Sequence, residues 1–274
     1  MIANRKVKVK WGKEELPESA HNDIIYLFTV LTQNAETEEY MEVTYIHHSC
    51  SLVETRLCYY LFDYEKGSLP RLNAEKPVIV FASHSHHDHY NPKVFTILKE
   101  MGMQKIQPVL SEDITPSGDP EQFCNTASAF AAPLRVAPNK EYILCLGQKL
   151  TTYRSTDLGV AFLIEDGEEL FYHAGDLNDW VWEGEEPSYN EQMTRDYRRQ
   201  IDALARKLNG RKLDCAFVVL DPRQEKDYDR GMLYFLNQVN ADKVYPMHYW
   251  EKPQVIRQFL QEHPKYKDRI QATE

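Results

Sequence analysis

Ser83-His84-Ser85-His86-His87-Asp88-His89-Tyr90-Asn91 places four histidines and one aspartate within nine residues. The stretch directly follows Pro77-Val78-Ile79-Val80-Phe81-Ala82, a short apolar run that reads as a buried strand. Within it, His84, His86, Asp88 and His89 form H-x-H-x-D-H. Three imidazoles and a carboxylate suit Zn²⁺, with Mn²⁺ or Fe²⁺ as the other fitting ions. In extended backbone, residues two apart face the same way, so His84 and His86 reach one ion. Asp88 and His89, on the turn that follows, point toward a second. His87 is a spacer and is expected to be exposed. The plain alternative is a solvated or hydrogen-bonded histidine-rich loop, so partners are needed elsewhere in the chain.

Two further segments supply them. Phe171-Tyr172-His173-Ala174-Gly175-Asp176 is a strand ending in Gly-Asp, where Asp176 can bridge two ions and Gly175 lets the backbone come close. Val244-Tyr245-Pro246-Met247-His248 is a strand ending in a histidine. Around these anchors the chain reads as short strands near 41–46, 51–55, 56–62, 78–82, 104–110, 134–137, 141–146, 149–154, 158–165, 169–173, 213–220 and 244–247. Asp166-Gly167 is a hairpin turn. Helices are expected near 91–99, opened by Pro92, and over 189–208, 232–239 and 254–263. This order predicts an α+β protein with two mixed sheets packed together and helices outside. The hairpins are too many for a doubly wound parallel sheet.

The set HSHHDH, then YHAGD, then PMH resembles the metallo-β-lactamase-fold hydrolases over about residues 41–262. The lead-in VTYIHHSCSLVET…YLFDY is similar to the branch that includes ascorbate-6-phosphate lactonase-like proteins. The resemblance implies a four-layer αββα sandwich with metals at one edge. It also implies that His84 and His86 bind the first ion, that Asp88, His89 and His248 bind the second, and that Asp176 bridges. Asp63 matches the family aspartate that supports the metal loop without touching the ion.

One departure follows. The family has a further first-ion histidine before the Gly-Asp, and no histidine lies between His89 and His173. Asp157, in Ser155-Thr156-Asp157, is the replacement that ligand chemistry favours. The competing reading is a turn in which Asp157 caps backbone N–H groups.

The expected reaction is hydrolysis of a small ester, lactone or phosphoester by water activated between two cations, with Asp88 or Asp176 handling the proton. The competing functions are a phosphodiesterase or nuclease, and a metal-binding protein with an incomplete catalytic site. An iron oxidoreductase is disfavoured, because flavo-diiron relatives usually carry a glutamate where His86 stands. His48 is expected near the cleft, His173 as a support for the ligands, and Arg223 as an anion contact or a surface ion pair. Trp180, Trp182 and Trp250 are expected as cleft walls or as core packing.

Composition bounds the partners. The chain has 274 residues and a formal net charge of −10, which argues against nucleic acid and anionic membranes. No apolar run approaches the roughly 18 residues of a membrane span. Five cysteines without a C-x-x-C pair suggest reduced thiols and a cytoplasmic setting. Residues 1–40 read as an N-terminal extension, with the hydrolase-like domain over 41–274.

Overall fold

The computed structural model describes residues 41–115 and 133–272. The extension expected over 1–40 lies outside the described residues, as does most of the turn-rich stretch around Gly118 and Pro120.

Twelve described strands form two six-stranded sheets. The first runs in sequence order through β1 (Glu42–His47), β2 (Cys50–Glu54), β3 (Tyr59–Phe62), β4 (Val78–Ala82), β5 (Ile106–Ser111) and β6 (Leu134–Val136). The second contains β7 (Glu141–Ile143), β8 (Lys149–Arg154), β9 (Val160–Asp166), β10 (Glu169–His173), β11 (Leu213–Val219) and β12 (Ala241–Met247), in the spatial order β12-β11-β10-β9-β8-β7. Each sheet is mixed. Antiparallel pairing joins β1 through β3 and β7 through β10, and parallel pairing joins β3 through β6 and β10 through β12.

The sheets face each other through an aromatic core. Phe62 and Phe81 of the first sheet meet Phe162, Phe171 and Phe217 of the second, with ring centroids 5.1–6.4 Å apart. Aromatic rings bury much apolar area each, and such edge and offset contacts add to that gain. At the end of the sandwich closed by the β9–β10 hairpin, Thr55 and Tyr60 donate hydrogen bonds across the interface to Asp166 Oδ2.

Helices cover the outer faces. α1 (Lys93–Glu100) buries Val94, Phe95 and Leu98 in a cluster with Leu61, Val78 and Val80 of the first sheet. α2 (Pro187–Leu208) buries Tyr197, Ile201, Leu204 and Leu208, the periodicity expected of it. α3 (Arg230–Gln238) stacks Phe235 on Tyr172 of β10. α4 (Gln254–Glu262) buries Val255, Ile256 and Phe259. These layers realise the α+β αββα arrangement expected from the sequence.

Several boundaries differ, two of them for reasons visible in the structure. The β9–β10 turn is Gly167-Glu168, with Asp166 paired to Glu169, one residue later than expected, because Gly167 carries the left-handed φ of +64°. β12 begins at Ala241 rather than Val244. Its first polar residues, Asp242 and Lys243, are exposed positions on an edge strand and hide the pattern.

Candidate active site

The strand ends on one edge of the sandwich bring the predicted residues together. β4 delivers Ser83 and the 84–89 segment. β10 delivers Asp176, β12 delivers His248, the β8–β9 turn delivers Asp157, and the β1–β2 turn delivers His48. Ligands collect at the carboxyl ends of strands because several loops can converge there.

Two groups of side chains result. In the first, His84, His86, Asp157 and Asp176 each offer one atom, all within 4.8 Å of one another. In the second, His48, Asp88, His89 and His248 do the same. Asp157 Oδ2 stands 3.5 Å from His86 Nδ1, and the Asp157 amide donates to Ser155 Oγ, so the hydroxyl does the capping and the carboxylate is left facing the group. His48, expected only near the cleft, sits within the second group, its Nε2 3.4 Å from Asp88 Oδ2. His87 is the exposed spacer.

The supports are built as carefully. Asp63, fully buried, accepts from the Ser83 amide and Oγ (both 2.7 Å) and from His89 Nδ1 (2.8 Å). The Ser83 hydroxyl, donating to Asp63, accepts from His84 Nδ1. Asp221 orients His248 from the other side, its Oδ2 2.9 Å from Nδ1. Each histidine thereby turns its Nε2 toward the groups, as carboxylate partners do for metal-binding imidazoles. His173 supports the frame from within the core. Its Nδ1 accepts from the Gly175 amide, its Nε2 donates to the Ser49 carbonyl, and its ring stacks on Phe62 at 4.7 Å. Arg223 is tied to Asp221, with Nε 2.9 Å from Oδ2, and lies over the ring of Trp250 at 4.4 Å.

Asp221 was not singled out by itself in the sequence. The signal was present as an aspartate directly after a buried strand. Its partner became clear only from the parallel register that sets Val219 beside Met247.

Backbone strain concentrates here. His48, Asp63 and His248 have φ of 51°, 43° and 64°. Left-handed backbone disfavours residues with a Cβ by about 1–3 kcal/mol each and persists where function over-determines it.

Charge is likewise concentrated. Burial alone would raise the carboxyls of Asp63 and Asp176, but the hydrogen bond and charge of His89 hold Asp63 below its ordinary value, and the positive charge of His89 and His248 holds Asp176 below its own. Burial would lower His248, yet Asp176 and Asp221 push it up to about 9, and Asp176 and Asp63 push His89 well up. His84 is brought down to about 4 by burial and by the neighbouring His89.

The fit to a cation rests on unpaired atoms. His48 Nε2, His89 Nε2, His248 Nε2 and Asp176 Oδ1 are all buried, and their contacts with one another and with the Asp88 carboxylate, at 3.1–3.4 Å, fall short of hydrogen-bond geometry. Buried polar atoms are rarely left so, since each costs about 1–3 kcal/mol. Three imidazole nitrogens and a carboxylate oxygen converging without directed bonds are a donor set able to hold a divalent metal.

No family model matches the sequence, and no curated protein does. Solved structures do. Igni18, a metallo hydrolase from Ignicoccus hospitalis, matches with a TM-score of 0.55 at 16% identity over 85% of this chain and 95% of its own. YhfI of Bacillus subtilis, a metallo-β-lactamase fold protein, matches with a TM-score of 0.52 at 15% identity over 86% of this chain and 97% of its own. This chain has the metallo-β-lactamase fold. Its two mixed sheets and outer helices are that fold's architecture, and the His/Asp groups lie at one edge of the sandwich. The metallo-β-lactamase fold also carries other chemistry. CmlA from Streptomyces venezuelae, a diiron β-hydroxylase, matches with a TM-score of 0.52 at 12% identity over 87% of this chain and 53% of its own.

Proposed function

We propose that this chain is a hydrolase of small molecules that works with two divalent cations held side by side. One observation carries the reading, the division of Asp176. Its Oδ2 lies 3.6 Å from His84 Nε2, while its Oδ1 lies 3.1 Å from His89 Nε2 and 3.4 Å from His248 Nε2. A carboxylate divided this way sits between two donor sets as a bridging ligand does. In this reading His84, His86 and Asp157 hold the first ion, and Asp88, His89 and His248 hold the second. Zinc suits the imidazole-rich second set. The two carboxylates of the first set suit zinc and also the harder Mn²⁺ and Fe²⁺.

When bound, the ions lower the pKa of a coordinated water toward about 7 and draw charge from a substrate carbonyl or phosphoryl oxygen. The chain's own groups do the rest. Hydrolysis adds water across the scissile C–O or P–O bond. Asp176, shared between the two sets, takes the water's proton and returns it to the departing oxygen. Trp180 and Trp250 wall the second set, their rings 5.6 and 5.4 Å from His248.

A recess of about 450 Å³ begins at Ser155 and Thr156, next to Asp157, and is lined also by Arg154 and Arg199. Asp196 also lines it and pairs with Arg199 at 2.9 Å, which leaves the Arg154 guanidinium to favour an anionic ester, lactone or phosphoester. The finer likeness to ascorbate-6-phosphate lactonase-like proteins is compatible with this charge. The buried free thiols of Cys50, Cys58 and Cys215 support a reducing, cytoplasmic setting.

The test measures metal content by emission spectroscopy beside turnover of a lactone panel and a fluorogenic phosphodiester. His86→Ala and Asp176→Ala are expected to lose both metal and turnover. Variants that keep both would reject the reading. An oxidative reading has one specific support, the two-carboxylate first set on a fold shared with a diiron hydroxylase. Iron in the isolated protein together with oxygen uptake would favour it.

A further inference from the structure

We infer that the second donor set is closed and the first open, and that His48 is the side chain that closes the second. The inference rests on the two-cation reading above. The sequence resemblance assigns Asp88, His89, His248 and Asp176 to the second ion and leaves position 48 out.

The β1–β2 turn puts His48 there. Its ring lies 4.3 Å from that of His248, centroid to centroid, and its Nε2 is 3.4 Å from Asp88 Oδ2. That nitrogen is buried, and its contact with the Asp88 carboxylate falls short of hydrogen-bond geometry. An imidazole nitrogen buried without a well-formed hydrogen bond is destabilising, and a lone pair directed at a cation removes the penalty. The backbone is bent to achieve it. His48 holds a left-handed φ of 51°, and its carbonyl accepts from the His248 amide at 3.4 Å, which docks the turn on the end of β12.

His48, Asp88, His89 and His248 supply four protein donors, the number that fills a structural zinc shell, and Asp176 Oδ1 is a fifth. Their side chains are 0–12% exposed. The ring of Trp250 lies 4.5 Å from that of His48 and caps the group. The first set is different. His86 and Asp157 are 48% and 44% exposed, and Leu158 beside them is exposed as well. Catalytic sites keep a coordination position free, whereas closed ones anchor structure. Substrate therefore approaches over the first set. The second set is an anchor that ties the β1–β2 turn and the 84–89 loop of one sheet to the ends of β10 and β12 of the other.

The experiment loads the full chain with zinc, dialyses it against graded EDTA, and counts ions per chain by emission spectroscopy, with circular dichroism as a check on folding. The parent is expected to lose its ions in two separate steps. His48→Asn, whose side chain tolerates left-handed backbone, is expected to lose the firmer step, with that ion leaving at roughly 10–100-fold lower chelator. His48→Gly is the second variant and is expected to behave alike. His47→Ala, whose imidazole pairs with Glu65 at 3.3 Å, is expected to match the parent. Asp157→Ala is expected to lose only the weaker step. Folded His48→Asn and His48→Gly chains that hold two ions as firmly as the parent overturn the inference and leave the hydrolase reading standing. A parent that releases both ions in one step overturns it as well. A parent that binds no ion removes both readings.

Discussion

Gly159 is pressed against Ser83. A Cβ built on the glycine would lie 1.9 Å from the Ser83 carbonyl oxygen, and the amide of the next residue, Val160, donates to that same oxygen at 3.0 Å. This backbone contact joins the β8–β9 turn of one sheet to the 84–89 loop of the other, and it is what brings Asp157 beside His86.

Gly159→Ala should therefore damage the site from outside the donor sets. The substitution meets both a left-handed φ of +70° and immovable backbone. We expect a loss of about 2–4 kcal/mol, the strain of the φ plus that of overpacking, read as a drop in Tm, together with loss of the weaker-bound ion. Gly167→Ala is the comparison. It has a similar φ of +64° but open space around it, and should lose only about 1 kcal/mol.

Asp221→Asn should weaken cation binding without changing the fold. The carboxylate orients His248 and is itself held low, burial being outweighed by His248 and Arg223, which keep it near 2. An amide keeps the shape but weakens the bond to Nδ1. A fall of roughly 10–100-fold in affinity is the usual result of such a change. Competition with a chromogenic chelator checks it, and an unchanged affinity would show that His248 needs no orienting partner.

Arg154→Ala addresses substrate charge. In an anionic ester the lost guanidinium contact should raise KM about tenfold or more at nearly constant kcat, since a hydrogen bond to a charged group is worth about 1.5–3 kcal/mol. A neutral ester of the same shape should be little affected. Equal effects on both would remove Arg154 from substrate recognition.

Glu169 gives a pH dependence far from the cluster. Burial, with Asp166 and Asp214 nearby, pushes its carboxyl up to about 7. The folded chain thus keeps a proton that the unfolded chain releases near its ordinary value. In that window the native state binds more protons, so stability falls as pH rises from the ordinary carboxyl value and levels off above about 7. Glu169→Gln should leave Tm unchanged near pH 4 and raise it by a few degrees near pH 8. A variant with the parent's full pH profile would rule this out.

The parts of the site that could be read in advance are those in which chemistry and spacing coincide locally. His84 to His89 follow one buried strand without interruption, and Asp176 and His248 each end another. Asp157 was legible only through the chemistry of a missing histidine. Its placement depends on Gly159 meeting Ser83, a contact between sheets. His48 has no firm role in the sequence, and Asp221 does not stand out there by itself, because their neighbours are set by register and by docking. His48 owes its position to a turn lying on β12, and Asp221 to the pairing of β11 with β12. In the fold itself, the apolar interior strands were plain, whereas the start of β12 was masked by its solvent-facing edge.

His248 follows the last of the described strands, yet it meets residues laid down near position 48 and between 84 and 89. A nascent chain therefore lacks the complete group of donor side chains until β12 has docked, and under the two-cation reading metal uptake would mark the moment at which the two halves of the sandwich have found each other.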